Sequence, residues 1–145
     1  MALILSIDTA MENAGLCVAE NAEILSIKTN SRQTDHAAWM HNAIKDALQD
    51  AGKKMSDLNA VAVTSGPGSY TGLRVGMASA KGLCYVLNVP LITESTLHLT
   101  AFGVKKNTND LSWICPMIDA RRMEVFTVLY DDGFHERQGP SAMIL

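Results

Sequence analysis

Asp8 and Thr9 close an apolar run near the start of the chain, and Gly66, Gly68, Ser69 and Gly72 punctuate the segment SGPGSYTGLRVG that begins at Ser65. Glycines let backbone N–H groups converge on one concavity, and a helix starting just beyond them adds the positive end of its dipole. The pattern therefore suits a phosphate or a nucleotide, and it equally suits a tight strand-to-helix turn with no ligand. It matches neither common phosphate fingerprint. Leu73 follows Gly72 where a P-loop needs lysine, and the last gap in Gly66, Gly68, Gly72 is one residue too long for a dinucleotide motif.

Other residues with chemical potential are weaker candidates. Asp8 stands where a metal-linked acid closes a first central strand, but Thr9-Ala10 follow it in place of a glycine, and the run 60–64 ends in Thr64-Ser65 without a second carboxylate. Asp119 repeats the pattern ahead of Ala120-Arg121-Arg122, and both acids read better as turn caps. His36 and His41 lie about 140° apart around a helix, so they do not converge on a metal. His98 suits a satisfied helix histidine, because one imidazole cannot build a site. Ser65 and Ser69 lack the Gly-x-Ser-x-Gly elbow of serine hydrolases, so peptidase activity is not expected.

The elements that must position these residues follow from hydrophobic period. Runs 2–7, 14–19 and 23–29 read as strands of an antiparallel meander with a turn at Glu20-Asn21-Ala22. From Asp35, Ala37, Met40, Ala43, Ile44, Ala47 and Leu48 recur at helical spacing until Gly52, predicting a helix over about 35–51. A short β-branched run at 60–64, a helix over 70–87, a strand near 91–93 and a helix over 95–104 follow. The order β-β-β-α-β-α-β-α predicts an α/β fold of ribonuclease H type, a mixed five-stranded sheet with flanking helices. Actin, hexokinase and acetate kinase use that unit twice, and a second unit begins here: an apolar run at 112–118, an interruption at Asp119–Arg122, a strand at 124–130 and a hairpin signal at Asp131-Asp132-Gly133. Residues 1–105 are thus expected to form the first lobe and 106–145 an incomplete second one, with no helix following to cover its strands.

Composition narrows the function classes. The 145 residues are 48% hydrophobic, enough to bury a core. A net charge of -3 and a pI near 5.7 disfavour a protein that grips nucleic acid unaided. Cys17, Cys84 and Cys115 form no Cys-x-x-Cys pair, so neither a disulfide framework nor a zinc site is indicated, and a reducing compartment fits. The opening apolar run lacks a basic leader and meets Asp8 too early for a signal peptide or membrane span.

LILSIDTAMENAGLCV, SGPGSYTGLRVGMASAKGL and MIDARRMEVFTVLY resemble, in order and spacing, the TsaB (YeaZ) family, relatives of the TsaD-type threonylcarbamoyltransferase within the actin-like (ASKHA) superfamily. The resemblance implies a non-catalytic, cytoplasmic subunit that binds TsaD and supports formation of N6-threonylcarbamoyladenosine in tRNAs reading codons that begin with A. It further implies a TsaE-type ATPase as a second partner, tRNA reached only through the complex, no membrane, and no cofactor of its own, with ATP or ADP at the complex interface left open. In the catalytic relative two histidines hold a metal; Thr96 and Thr100 occupy those places here, and threonine is a poor metal ligand beside imidazole. The family's partner face is built from the first two helices. Here that places Trp39 and Met40 on the first and Arg74, Met77, Ala78, Lys81 and Tyr85 on the second, a mix of apolar, small and basic groups that suits an interface. Met40 and Met77 suit the domain's own core equally well. The same face can self-pair, so a homodimer is expected when the partner is absent. The competing class is an ATP-binding phosphotransferase or ATPase with Asp8, Gly68 and Gly72 around phosphate.

Overall fold

The computed structural model describes residues 1–31, 36–108 and 112–144, and its contacts divide the chain into two units: Met1–Ser65 with Ser69–Glu94, and Gly66–Gly68 with Ser95–Leu145. In the first unit, alternation in LILSID makes β1 (Leu3–Asp8), whose Leu3, Leu5 and Ile7 face inward. β2 (Ala14–Glu20) and β3 (Glu23–Asn30) complete the meander, joined at Asn21 and Ala22, which take φ of 52° and 67° as a tight two-residue hairpin requires. β4 (Ala60–Thr64) and β5 (Leu91–Glu94) add parallel strands on the other side of β1, giving the order β3-β2-β1-β4-β5. This is the mixed five-stranded sheet expected from the element order.

Two helices cover one face of that sheet. α1 (His36–Asp50) buries Met40, Ala43, Ile44, Ala47 and Leu48 against Leu5, Leu16, Val18 and Val61. Asp35, expected to open this helix, lies outside the described residues, as does the side chain of His36. α1 ends as its sequence predicts: Gly52, at φ 64°, lets the Lys53 N–H reach back to the Leu48 carbonyl at 2.9 Å. A single 3-10 turn at Met55–Asp57 then leads into β4. α2 (Tyr70–Leu87) runs from an Ser69 cap to Asn88, which closes it in the left-handed conformation at φ 53°.

The second unit has its own core. α3 (Thr96–Asn107) buries Leu97 and Ala101 against Ile114, Ile118, Val128 and Tyr130 of a four-stranded sheet made of β6 (Trp113–Ile114), β7 (Met117–Arg121), β8 (Glu124–Asp131) and β9 (Glu136–Ile144). Three sequence expectations are corrected here. α3 groups with these strands, so the division falls after Glu94 and not after residue 105. A helix does cover the second sheet, and it precedes the strands instead of following them. Asp119–Arg122 does not interrupt the strand: β7 runs through Arg121 with a register shift between Asp119 and Arg121, while the 112–118 run is the one that breaks, at Cys115-Pro116.

The β8–β9 hairpin is closed by one carboxylate. Asp131, with its side chain 10% exposed, accepts the His135 N–H at 2.9 Å and faces His135 Nδ1 at 3.2 Å through Oδ1, while Oδ2 accepts Arg137 Nε at 2.6 Å. The backbone hydrogen bond from His135, followed by the Arg137 bond and charge, holds the Asp131 carboxyl below its ordinary range against the opposing effect of burial. Above the turn, Phe134 stacks on Tyr130 at 4.7 Å and on His98 at 5.1 Å.

A carboxyl whose pKa is lowered by folding stabilises the fold at pH values above its unfolded pKa, and that contribution is lost as pH falls through the folded value. Asp131→Asn should therefore melt below the wild type near neutral pH. The gap should close on acidification from about pH 5 to about pH 2. Thermal unfolding followed across that range checks it, and a gap that persists unchanged in acid would show that the carboxylate charge does not contribute.

Candidate functional site

The site of interest in the first unit is built where α2 meets the end of β1. Gly72, Gly76 and Ala80 form a ridge, one residue per turn, on the buried side of the helix. A Cβ at Gly72 would stand 2.1 Å from the Thr9 carbonyl oxygen, and one at Gly76 would stand 2.4 Å from Thr9 Oγ1. Only glycine permits that approach. Thr9 itself is fully buried, and its hydroxyl donates to the Gly72 carbonyl at 2.7 Å, fastening strand end to helix.

The neighbouring groups are engaged in the same junction. Asp8 Oδ1 accepts the Ala10 N–H and the Thr64 hydroxyl, each at 3.0 Å. The Ser69 N–H donates to the Ala10 carbonyl at 2.7 Å, and Ser69 Oγ accepts the Gly72 N–H at 3.3 Å as a helix cap. Asp8, Thr9, Ser69 and Gly72 thus come together, and the bonds they make are those of a strand-to-helix turn. Gly66 and Gly68 belong to the second unit, with φ of 106° and 156° that favour glycine, and the Thr96 N–H donates to the Gly66 carbonyl at 2.9 Å.

The outer side of α2 has the opposite character. Tyr70, Arg74, Met77, Ala78, Lys81 and Tyr85 recur at intervals of one helical turn and so form a single stripe about 100° wide. Tyr70 and Tyr85 are 73% and 89% exposed, and Arg74, Ala78 and Lys81 are exposed as well. Four of the residues expected on a partner face, Arg74, Met77, Ala78 and Lys81, line one open groove of about 470 Å³ together with Thr64, Ser65, Tyr70 and Leu73. Met40 is corrected: at 0% exposure it fills the core, because it falls on the α1 stripe that faces the sheet. Trp39 and Met77 are half-buried and pack against that core. Tyr70 and Val86, the latter 80% exposed, are surface apolar groups that the sequence reading left out; for Tyr70 the signal was its place one turn before Arg74.

The remaining candidates have structural partners. Thr100 Oγ1 donates to the Thr96 carbonyl at 2.8 Å, and Thr96 Oγ1 is buried, so this pair of hydroxyls does not fit a metal ion. Among the described residues no group of three or more His, Cys, Asp or Glu could hold one. Asp119 Oδ1 accepts the Arg121 N–H at 2.7 Å, the same contact two residues ahead that Asp8 makes with Ala10. No helix among the described residues is long and apolar enough to cross a membrane.

The chain is similar to known proteins in sequence and in fold. The family described as tRNA N6-adenosine threonylcarbamoyltransferase, TsaD, matches residues 23–140. The chain is 30% identical over 144 residues to the tRNA threonylcarbamoyladenosine biosynthesis protein TsaB of Bacillus subtilis, covering 98% of this chain and 62% of that protein. It is 32% identical over 127 residues to TsaB of Escherichia coli, covering 88% of this chain and 54% of that protein. The solved structure of YeaZ from Pseudomonas aeruginosa superposes with a TM-score of 0.85 at 26% identity, over 100% of this chain and 68% of that one. The chain therefore spans less than two thirds of the length of these curated relatives.

Two glycines of α2 should respond oppositely to alanine. Gly72→Ala forces a methyl into the Thr9 carbonyl and should cost about 2–3 kcal/mol, whereas Gly82, where an added Cβ meets nothing within 4 Å, should gain about 0.5–1 kcal/mol as alanine in a helix interior. Urea unfolding of the two variants tests the junction; equal effects would mean that α2 does not rely on this contact.

Proposed function

The chain belongs to the TsaD family, within its TsaB (YeaZ) branch, and from that premise we propose that it is an accessory, non-catalytic subunit of tRNA threonylcarbamoyladenosine formation. Its role is to dock on a TsaD-type catalytic subunit in the cytoplasm and to bring that subunit into its working state. A TsaE-type ATPase and tRNA are reached through the resulting complex, and the chain forms a homodimer when the catalytic subunit is absent. The observation that carries this reading is the division of labour on α2. Its inner side is committed to the junction with β1, while its outer side presents a continuous exposed stripe of aromatic, apolar, small and basic groups around an open groove. That composition matches interface cores, in which aromatics and arginine are enriched.

The chemistry of the remaining residues supports an accessory role. Thr96 and Thr100 offer no imidazole where the resemblance to the catalytic relative calls for metal ligands. An ATP-dependent phosphotransferase draws little support from the first unit, because the Asp8, Thr9 and Ser69 groups that would face phosphate already pair with Ala10, Gly72 and Thr64.

Mixed with the TsaD-type protein of the same organism, the chain should form a one-to-one species by light-scattering chromatography and should raise the rate at which the catalytic protein modifies tRNA. Ala78→Glu places bulk and charge in the middle of the groove without touching the core. It should weaken pairing at least about tenfold, or about 1.4 kcal/mol, and remove the rate enhancement while leaving the melting temperature unchanged. Full enhancement by the variant would take the α2 groove out of the interface.

A further inference from the structure

Arg74 and Lys81 lie on the exposed stripe of α2 about 20° apart around the axis and about 10.5 Å apart along it. Among the described residues neither has a carboxylate partner and no acidic side chain lines the groove they share. Arg74 is already held in place: its Nη1 donates to the Tyr70 hydroxyl at 3.1 Å, and its guanidinium carbon stands 5.3 Å from the centre of the Tyr70 ring. A guanidinium tethered in this way loses less rotamer freedom when it meets an anion. Between the two cations the surface is apolar and low, formed by Met77 and by Ala78, whose side chain ends at Cβ. A second copy of the same stripe laid against this one sets cation against cation, which costs free energy and selects against self-pairing relative to an acidic partner.

We infer that, granted the reading of α2 as the face for the catalytic subunit, the occupant of this groove is an α-helix of that subunit carrying two carboxylates two turns apart. One carboxylate pairs with Arg74 and the other with Lys81, and the apolar residues between them pack over Met77 and Ala78. Two turns is the spacing that keeps both carboxylates on one side of the incoming helix, whichever way it runs. Arg74 takes its carboxylate with a planar fork of donors and Lys81 as a point charge, so the Arg74 end fixes orientation and the Lys81 end adds attraction.

The test is calorimetric titration of the whole chain with the TsaD-type protein of the same organism, at about 50 mM and about 500 mM salt, where screening of exposed charges differs strongly. Wild-type Kd should rise about tenfold or more with salt. R74E/K81E should bind at least about a hundredfold more weakly at low salt and should bind better, not worse, as salt is raised. R74Q/K81Q should bind with little salt dependence, and K106E on α3 should behave as wild type. All of these side chains are exposed, so unchanged thermal unfolding of each variant certifies the fold. Wild-type affinity in R74E/K81E overturns the inference while leaving the function reading in place, and if R74E/K81E keeps that affinity yet disperses the homodimer the chain forms alone, the occupant of the groove is a second copy. A wild-type chain that fails to bind the TsaD-type protein at all removes the function reading, and this inference with it.

Discussion

The contact on which the first unit depends is backbone against backbone. Gly72 and Gly76 bring α2 so near the end of β1 that the Thr9 carbonyl and hydroxyl occupy the space where side chains of the helix would otherwise stand. A helix normally rests on a sheet through interdigitated side chains; here α2 rests at Gly72 on the Thr9 peptide group and at Gly76 on the Thr9 side chain, and the Thr9 hydroxyl, which would be costly to bury alone, is satisfied by the Gly72 carbonyl. The rest of the junction follows from that proximity. With the helix start fixed, Ser69 can cap it and send its N–H to Ala10, and Asp8 can tie Ala10 to Thr64 on the adjacent parallel strand.

The second unit uses a different device for a similar problem. Its β8–β9 hairpin contains one non-glycine residue at positive φ, Phe134 at 63°, and the preceding hairpin has three in succession, Arg121, Arg122 and Met123 at 68°, 55° and 65°. Such conformations cost about 1–2 kcal/mol each for L residues, so other contacts must hold them. Asp131 supplies one set with its bonds to His135 and Arg137, and the stack of Phe134 on Tyr130 and His98 supplies another. The same aspartate contact, a carboxylate accepting the N–H two residues ahead, recurs at Asp8, where it closes β1, and at Asp119, where it sits at the register shift within β7.

Much of this was legible in the residues. Ala60–Thr64 and Tyr70–Leu87 fall where the apolar run and the helical period place them, and Ser69 caps as its type predicts. Period alone could not decide whether Met40 faces the sheet or a partner, because both faces of a partner-binding helix are apolar; only the tertiary placement of α1 resolves it. β9 was invisible for a physical reason: ERQGPSAMI has no alternation and contains Gly139 and Pro140, which an edge strand tolerates because one side of its ladder is unpaired. The placement of α3 with the second sheet was equally hidden, since it rests on Leu97 and Ala101 meeting Ile114 and Val128, a pairing that local sequence does not encode. In the candidate site, the types of Asp8, Thr9 and Gly72 announced a special geometry, and what they could not announce is that the groups satisfy one another.

A helix secured through its own peptide groups has consequences for how the molecule can change over time. Because the Gly72–Gly76 side of α2 holds position without help from Tyr70, Arg74, Ala78 or Lys81, those four can be exchanged with little toll on folding, whereas almost nothing can replace the glycines behind them. The outer stripe is therefore free to drift in step with whatever surface it meets, and the two sides of a single helix answer to separate histories: one to the chain's own architecture, the other to its company.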